Sequence, residues 1–287
     1  MSLSARQIAG HAGLLPLLRL QAQTLLTAYE SDPRLAANFA SQQRWLLGQL
    51  AASLHFRSEL ETNSSGVPIS RFIDQAQAHG IASRNTADAF IKELINYGYV
   101  ELAGEAGDKR LRLLRATSLP VELLDGWVAL HLSTLDRLDG GARGAAYSAH
   151  GDGLMRLQPL IADGLLTLEE VRKPSGTFSL FTWLDKGGIV MERMISGMDE
   201  IDKGSARIPT SVMSVSDMAE WLKLSRTHLT RKLREAEALG SIGWDGKRFH
   251  SAMWLSAEFL AEMVAAQAAK LAVIDEAYDK VFGVAAR

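Results

Sequence analysis

Residues 222–242, LKLSRTHLTRKLREAEALGSI, decide how this chain is read. Ser225 stands where a helix N-cap belongs. Leu229, Leu233, Ala236 and Leu239 recur at helical spacing as a buried stripe, and Gly240 is a C-terminal stop. That leaves Thr227, Thr230, Arg231 and Arg234 one turn apart on the opposite side, with Arg226 and His228 at the helix start. Arginine forks reach guanine edges or phosphates and threonines contact either, so such a face suits a major groove. An amphipathic helix with a basic outer side is, taken alone, more often a solvated helix, and its neighbours decide between the two readings.

Upstream, Val215 to Leu222 predicts a short helix with Ser216 at its cap and Met218, Ala219 and Leu222 facing inward. Downstream, residues 242–250 alternate around Asp245-Gly246, a strong hairpin signal, with Lys247 and Arg248 just past the tip. Helix, turn, helix and basic hairpin in that order describe a winged helix.

The same grammar occurs earlier at a constant offset of 142 residues. Ser83 falls on Ser225, Arg84 on Arg226, Ile91 on Leu233, Tyr97 on Leu239, Gly98 on Gly240 and Val100 on Ile242. A predicted helix from Ile69 to His79, capped by Ser70, precedes this copy, and a hairpin from Tyr99 to Arg115 follows it. Gly104, Gly107 and Asp108 lie in the hairpin loop, and Lys109, Arg110 and Arg112 on the returning strand. Further helices follow each hairpin, over 120–138 and 256–282. The outer positions diverge: where the second copy has Thr227, Thr230, Arg231 and Arg234, the first has Asn85, Asp88, Ala89 and Lys92. Asp88 would oppose phosphate charge, yet Arg84, Asn85 and Thr86 at the helix start can still contact the backbone or a base, with Ser83, Lys92 and the hairpin's Lys109 and Arg110 as the first copy's other candidate contacts. The second copy is therefore expected to bind more strongly.

Both copies resemble the winged helix-turn-helix of bacterial transcription regulators, chiefly the MarR type, over about residues 35–140 and 165–287. The opening Ser225-Arg226-Thr227 also resembles that of Crp-type regulators. The resemblance implies a mainly α protein with small β-hairpin wings, its two winged-helix units in tandem forming an intrachain pseudo-dimer. It implies double-stranded DNA as partner and admits a small-molecule effector. It also admits a homodimer, since terminal helices pair chains in that family. The N-terminal segment from Ile8 to Leu26 reads as such a packing helix. The expected organisation is an N-terminal packing helix over 1–34, a first unit over 35–140, a linker over 141–164 rich in glycine and alanine, and a second unit over 165–287.

Composition bounds these expectations. A net charge of −2 and pI near 6.4 argue against a protein that coats nucleic acid, yet Lys223, Arg226, Arg231, Lys232 and Arg234 form a local basic cluster. The chain has no cysteine, which excludes disulfides, thiolate metal sites and cysteine nucleophiles and is compatible with a cytoplasmic location. The seven histidines are scattered outside metal-ligand spacing, and no GxSxG elbow or phosphate-binding glycine pattern occurs. No enzyme, cofactor, metal or membrane partner is expected. From Leu154 to Ile208 the reading is open: residues 177–183 fit a strand or part of a helix, and a helix starts at Gly188. Two alternatives in other classes stand beside the regulator, a plasmid-type replication initiator and a winged-helix scaffold that binds protein.

Overall fold

The computed structural model describes residues 2–32, 39, 41–62, 66–103, 112–198, 205–212 and 214–283. In chain order the helices are α1 (Ala5–Ala9), α2 (Leu14–Ser31), α3 (Gln42–Thr62), α4 (Ile69–Ala78), α5 (Arg84–Asn96), α6 (Ser118–Asp139), α7 (Arg143–Ser148), α8 (Gly153–Thr167), α9 (Glu169–Arg172), α10 (Gly176–Thr182), α11 (Gly187–Ser196), α12 (Val215–Trp221), α13 (Arg226–Ala238) and α14 (Ala257–Phe282). The strands are β1 (Val67–Pro68), β2 (Val100–Ala103), β3 (Leu113–Ala116), β4 (Arg207–Pro209), β5 (Ile242–Trp244) and β6 (Met253–Ser256). The protein is thus mainly helical with small antiparallel sheets.

Two units result, each built from separate pieces of chain. The first comprises residues 1–3, 43–168 and 270–287; the second comprises 4–42 and 169–269. This replaces the expected boundaries: the N-terminal helices belong with the second unit, and the last part of α14 belongs with the first.

In the first unit, β3 lies between β1 and β2, with Val67 opposite Leu114 and Val100 opposite Ala116. The chain between β1 and β2 forms α4 and α5, whose apolar faces bury Phe72, Ile73, Ala76, Ala87, Phe90, Ile91 and Leu94. Pro68 leads directly from strand into α4, so Ser70 lies inside the helix and caps nothing. Residues 141–164, read as a linker, hold α7 and most of α8. Gly140 ends α6 in the left-handed region, at φ 77°, and Arg143 is buried just beyond. Its guanidinium meets Asp275 at 2.6 Å, Asp139 at 2.7 Å and Asp136 at 3.3 Å. These charges hold the segment in place, and removing one partner of such a set is strongly destabilising.

In the second unit, β6 lies between β4 and β5, with Ile208 opposite Leu255 and Ile242 opposite Leu255. The chain between β4 and β5 forms α12 and α13. The predicted helix from Ile8 is broken at Gly10–Gly13 into α1 and α2, and α2 packs its Leu14, Leu18, Ala22, Leu26 and Tyr29 face in this unit, against α11. Residues 177–183 turn out helical, as α10 and its C-cap Trp183. Ser214, not Ser216, caps α12, accepting from the Asp217 amide at 3.2 Å.

Candidate nucleic-acid interface

Helix α13 starts where Ser225 Oγ accepts the His228 amide at 3.4 Å. Leu229, Leu233 and Ala236 are buried, while Arg226, Thr227, His228, Arg231 and Arg234 are exposed and Thr230 is half-buried. The predicted stripe ends one turn early, because Leu239 is the C-cap and stays 62% exposed. Gly240 follows at φ 74°, a conformation an L side chain adopts only with strain, and turns the chain into β5.

Ion pairs decide which cations of α13 are available. Lys232 is tied to Glu235 at 2.7 Å, and Arg231 stands 3.9 Å from the same carboxylate with 64% of its side chain exposed. The hydrogen bond from Lys232 holds the Glu235 carboxyl below its ordinary range, aided by the charges of Arg231 and His228. Glu235 therefore stays ionised and neutralises Lys232, leaving Arg226, Arg231 and Arg234 to face outward.

The hairpin after α13 differs from the expected alternation over 242–250 around Asp245-Gly246. β5 ends at Trp244, β6 begins at Met253, and Asp245 donates its amide to the Ala252 carbonyl at 3.0 Å across the base of the 245–252 loop. Lys247 is exposed in this loop; Arg248 is not a second free cation, because its Nη2 meets Glu237 at 2.7 Å. Glu237, Trp244 and Phe249 thus belong to the site although the sequence reading passed over them. The aromatic pair flanking Asp245-Gly246 was the available signal.

Helix α5 copies the frame. Ser83 accepts the Thr86 amide at 3.3 Å, Ala87, Ile91 and Leu94 are buried, and Gly98 follows at φ 72°. Arg84, Asn85, Thr86 and Lys92 are exposed, but Lys92 is paired with Asp88 at 2.6 Å. Among the described residues, the face therefore carries one cation without an ion-pair partner, Arg84, near its start. Lys109 and Arg110 lie outside the described residues.

The first unit also contains a polar recess of about 430 Å³ lined by Ser2, Asp139, Arg143, Asp275, Tyr278 and Asp279. Its Asp139 and Asp275 are hydrogen-bonded to Arg143, and Asp275 also accepts the Leu3 amide. Among the described residues no cluster of histidines and carboxylates has the makings of a metal site, and no helix is long and apolar enough to cross a membrane. Comparison of the chain with protein-family models, with curated proteins and with solved structures yields no match in any of the three.

Proposed function

We propose that both units are winged helices and that the second binds double-stranded DNA in a sequence-specific manner, as a transcription regulator does. In each unit a strand, two helices and a two-stranded hairpin follow one another, and the first strand pairs with the last. The observation that carries the reading is the outer face of α13: Arg226, Thr227, Arg231 and Arg234 are exposed above a fully buried Leu229–Leu233–Ala236 stripe. In this reading α13 enters a major groove, Arg231 and Arg234 read base edges or phosphates, Arg226 and Thr227 meet the backbone at the helix start, and Lys247 reaches an adjacent phosphate. Helix α5, with Lys92 neutralised by Asp88, makes at most auxiliary contacts through Arg84, Asn85 and Thr86.

Selection from a pool of genomic duplexes, repeated at several salt concentrations, tests this. A few promoter-proximal sites are expected. Arg231→Ala should weaken binding by about 1–3 kcal/mol, whereas Lys92→Ala should leave it nearly unchanged. Iterated origin sites would instead favour an initiator, and a chain that selects no duplex at low salt would favour a protein-binding scaffold.

A further inference from the structure

The wing of the second unit is fastened to the helix that precedes it. Arg248 donates from Nε to Glu237 Oε1 at 2.9 Å, while its Nη2 lies 2.7 Å from Oε2, the two-pronged geometry that matches a guanidinium to a carboxylate. Phe249 follows at φ 66°, in the left-handed region where a side chain with a Cβ is strained, and its ring meets Trp244 edge-on with centroids 4.7 Å apart. The guanidinium carbons of Arg234 and Arg248 lie 5.7 Å and 5.9 Å from the centre of that ring. A single surface ion pair usually contributes little. This one is two-pronged, its carboxylate side chain is only 24% exposed, and an aromatic pair supports the loop beside it.

We propose that Glu237, Arg248 and Phe249 form a bracket that fixes the 245–252 loop against α13. Arg248 is then a positioning residue that meets no phosphate, and Lys247 makes the wing's contact. The bracket sets the spacing between Arg234 on the helix and Lys247 on the wing, and the ring holds Arg234 in a limited range of orientations. It belongs to the second unit: at the offset of 142 the positions of Glu237 and Trp244 are filled in the first copy by Ile95 and Leu102. This inference rests on reading α13 and its wing as a duplex-binding surface.

The test uses the full chain and a mixed-sequence DNA duplex titrated over a range of salt. With the bracket, Glu237→Gln and Arg248→Ala each weaken binding roughly threefold to tenfold while the slope against log salt stays unchanged. The exchanged pair, Glu237→Arg with Arg248→Glu, restores binding to within about twofold of the parent. The proposal is overturned if Glu237→Gln tightens binding and Arg248→Ala lowers the slope by about 0.9, the signature of one lost phosphate contact. Amide hydrogen exchange without DNA supplies the independent measurement: exchange over 245–252 should accelerate in both single variants. Unchanged exchange refutes the bracket whatever the DNA result. If the parent chain binds no duplex but exchange accelerates, the bracket stands as a wing fastener and the duplex reading falls.

Discussion

Helices α5 and α13 are two copies of one frame that carry different surfaces. Their bounds, 84–96 and 226–238, differ by 142 residues at both ends, as do their serine caps and their left-handed glycines. Position by position, Ala87, Ile91 and Leu94 are buried where Leu229, Leu233 and Ala236 are. Outward, Asp88, Ala89 and Lys92 stand against Thr230, Arg231 and Arg234, and the Asp88–Lys92 pair neutralises what Arg231 and Arg234 present as charge. Frame and surface therefore vary independently: inward residues specify the helix pair, and a few outward residues determine what it can meet.

Core truncation should break both copies alike. Leu233→Ala and Ile91→Ala each remove a side chain that is nearly fully buried and should cost about 2–5 kcal/mol of stability in urea unfolding. Only the first of these should also abolish duplex binding under conditions where the chain remains folded. Comparable losses of binding from both would show that the two surfaces act together. A graft sharpens the contrast: in an Arg231→Ala background, Asp88→Thr with Ala89→Arg removes the acid that holds Lys92 and adds an arginine at the matching position. Duplex affinity should rise by about 1–3 kcal/mol if outward residues alone separate the copies. No gain would mean that the first frame cannot present its helix to a groove.

Acid should separate the units as well. His131 is fully buried in the first unit, with Nδ1 2.7 Å from the Trp127 carbonyl, and burial, with Lys270 nearby, lowers its pKa well below 6.5. Burial also lowers that of His55, with Glu59 opposing the shift and Arg115 adding to it. Below pH 6.5 the unfolded chain takes up a proton that the folded unit refuses. Stability is therefore intact above that pH and falls as the pH drops toward the lowered value, by up to about 1.4 kcal/mol per pH unit per histidine. In the second unit His11, His228 and His250 are exposed. Hydrogen exchange followed from pH 7.5 to 5.5 should show the first unit opening first, and His131→Leu should reduce that dependence. A parallel loss in both units would contradict this account.

Much of this frame was legible because it is local. A cap, three apolar positions and a terminal glycine fall within fifteen or so residues, and the chain presents them twice, 142 residues apart. What escaped was either too short or too distant. Strands β1 and β4 are Val67-Pro68 and Arg207-Ile208-Pro209, too brief for an alternating pattern to register, although the shared Val-Pro and Ile-Pro pairs mark them in hindsight. Either Ser214 or Ser216 has a side chain that can cap, and the buried Val215 at the first helical position decides for Ser214. Leu239 fits the spacing of the stripe, yet the chain leaves the helix there and the side chain points away from the core. Residues 141–164 have a linker's composition, and the feature that orders them is an arginine paired with Asp275, which lies 132 positions away. The discontinuous units escaped for the same reason. In the candidate site the exposed arginines of α13 were readable, whereas the pairing of Arg248 with Glu237 depends on how the wing loop folds.

The smallest difference between the copies lies in the turn before each of these helices. In the first, Gly80 takes the left-handed position at φ 62°, and Ile81 donates back to the Ala76 carbonyl; in the second, Lys223 takes it at φ 51°, and Leu224 donates to Ala219. The hydrogen bond is conserved in kind, but the second copy makes the turn with a residue whose Cβ crowds its own backbone. Left-handed geometry costs a non-glycine residue roughly 1–2 kcal/mol. Glycine gives back roughly 0.5–1 kcal/mol of that through its greater freedom in the unfolded chain. Lys223→Gly should accordingly stabilise the second unit by about 0.5–1 kcal/mol in urea unfolding. Gly80→Ala should destabilise the first by an amount of similar size. Because Lys223 is exposed and lies before the Ser225 cap, a loss of duplex affinity on Lys223→Gly with stability raised would add this lysine to the contact surface. Unchanged affinity would confine its role to the turn and leave the α13 face and Lys247 as the difference between the copies.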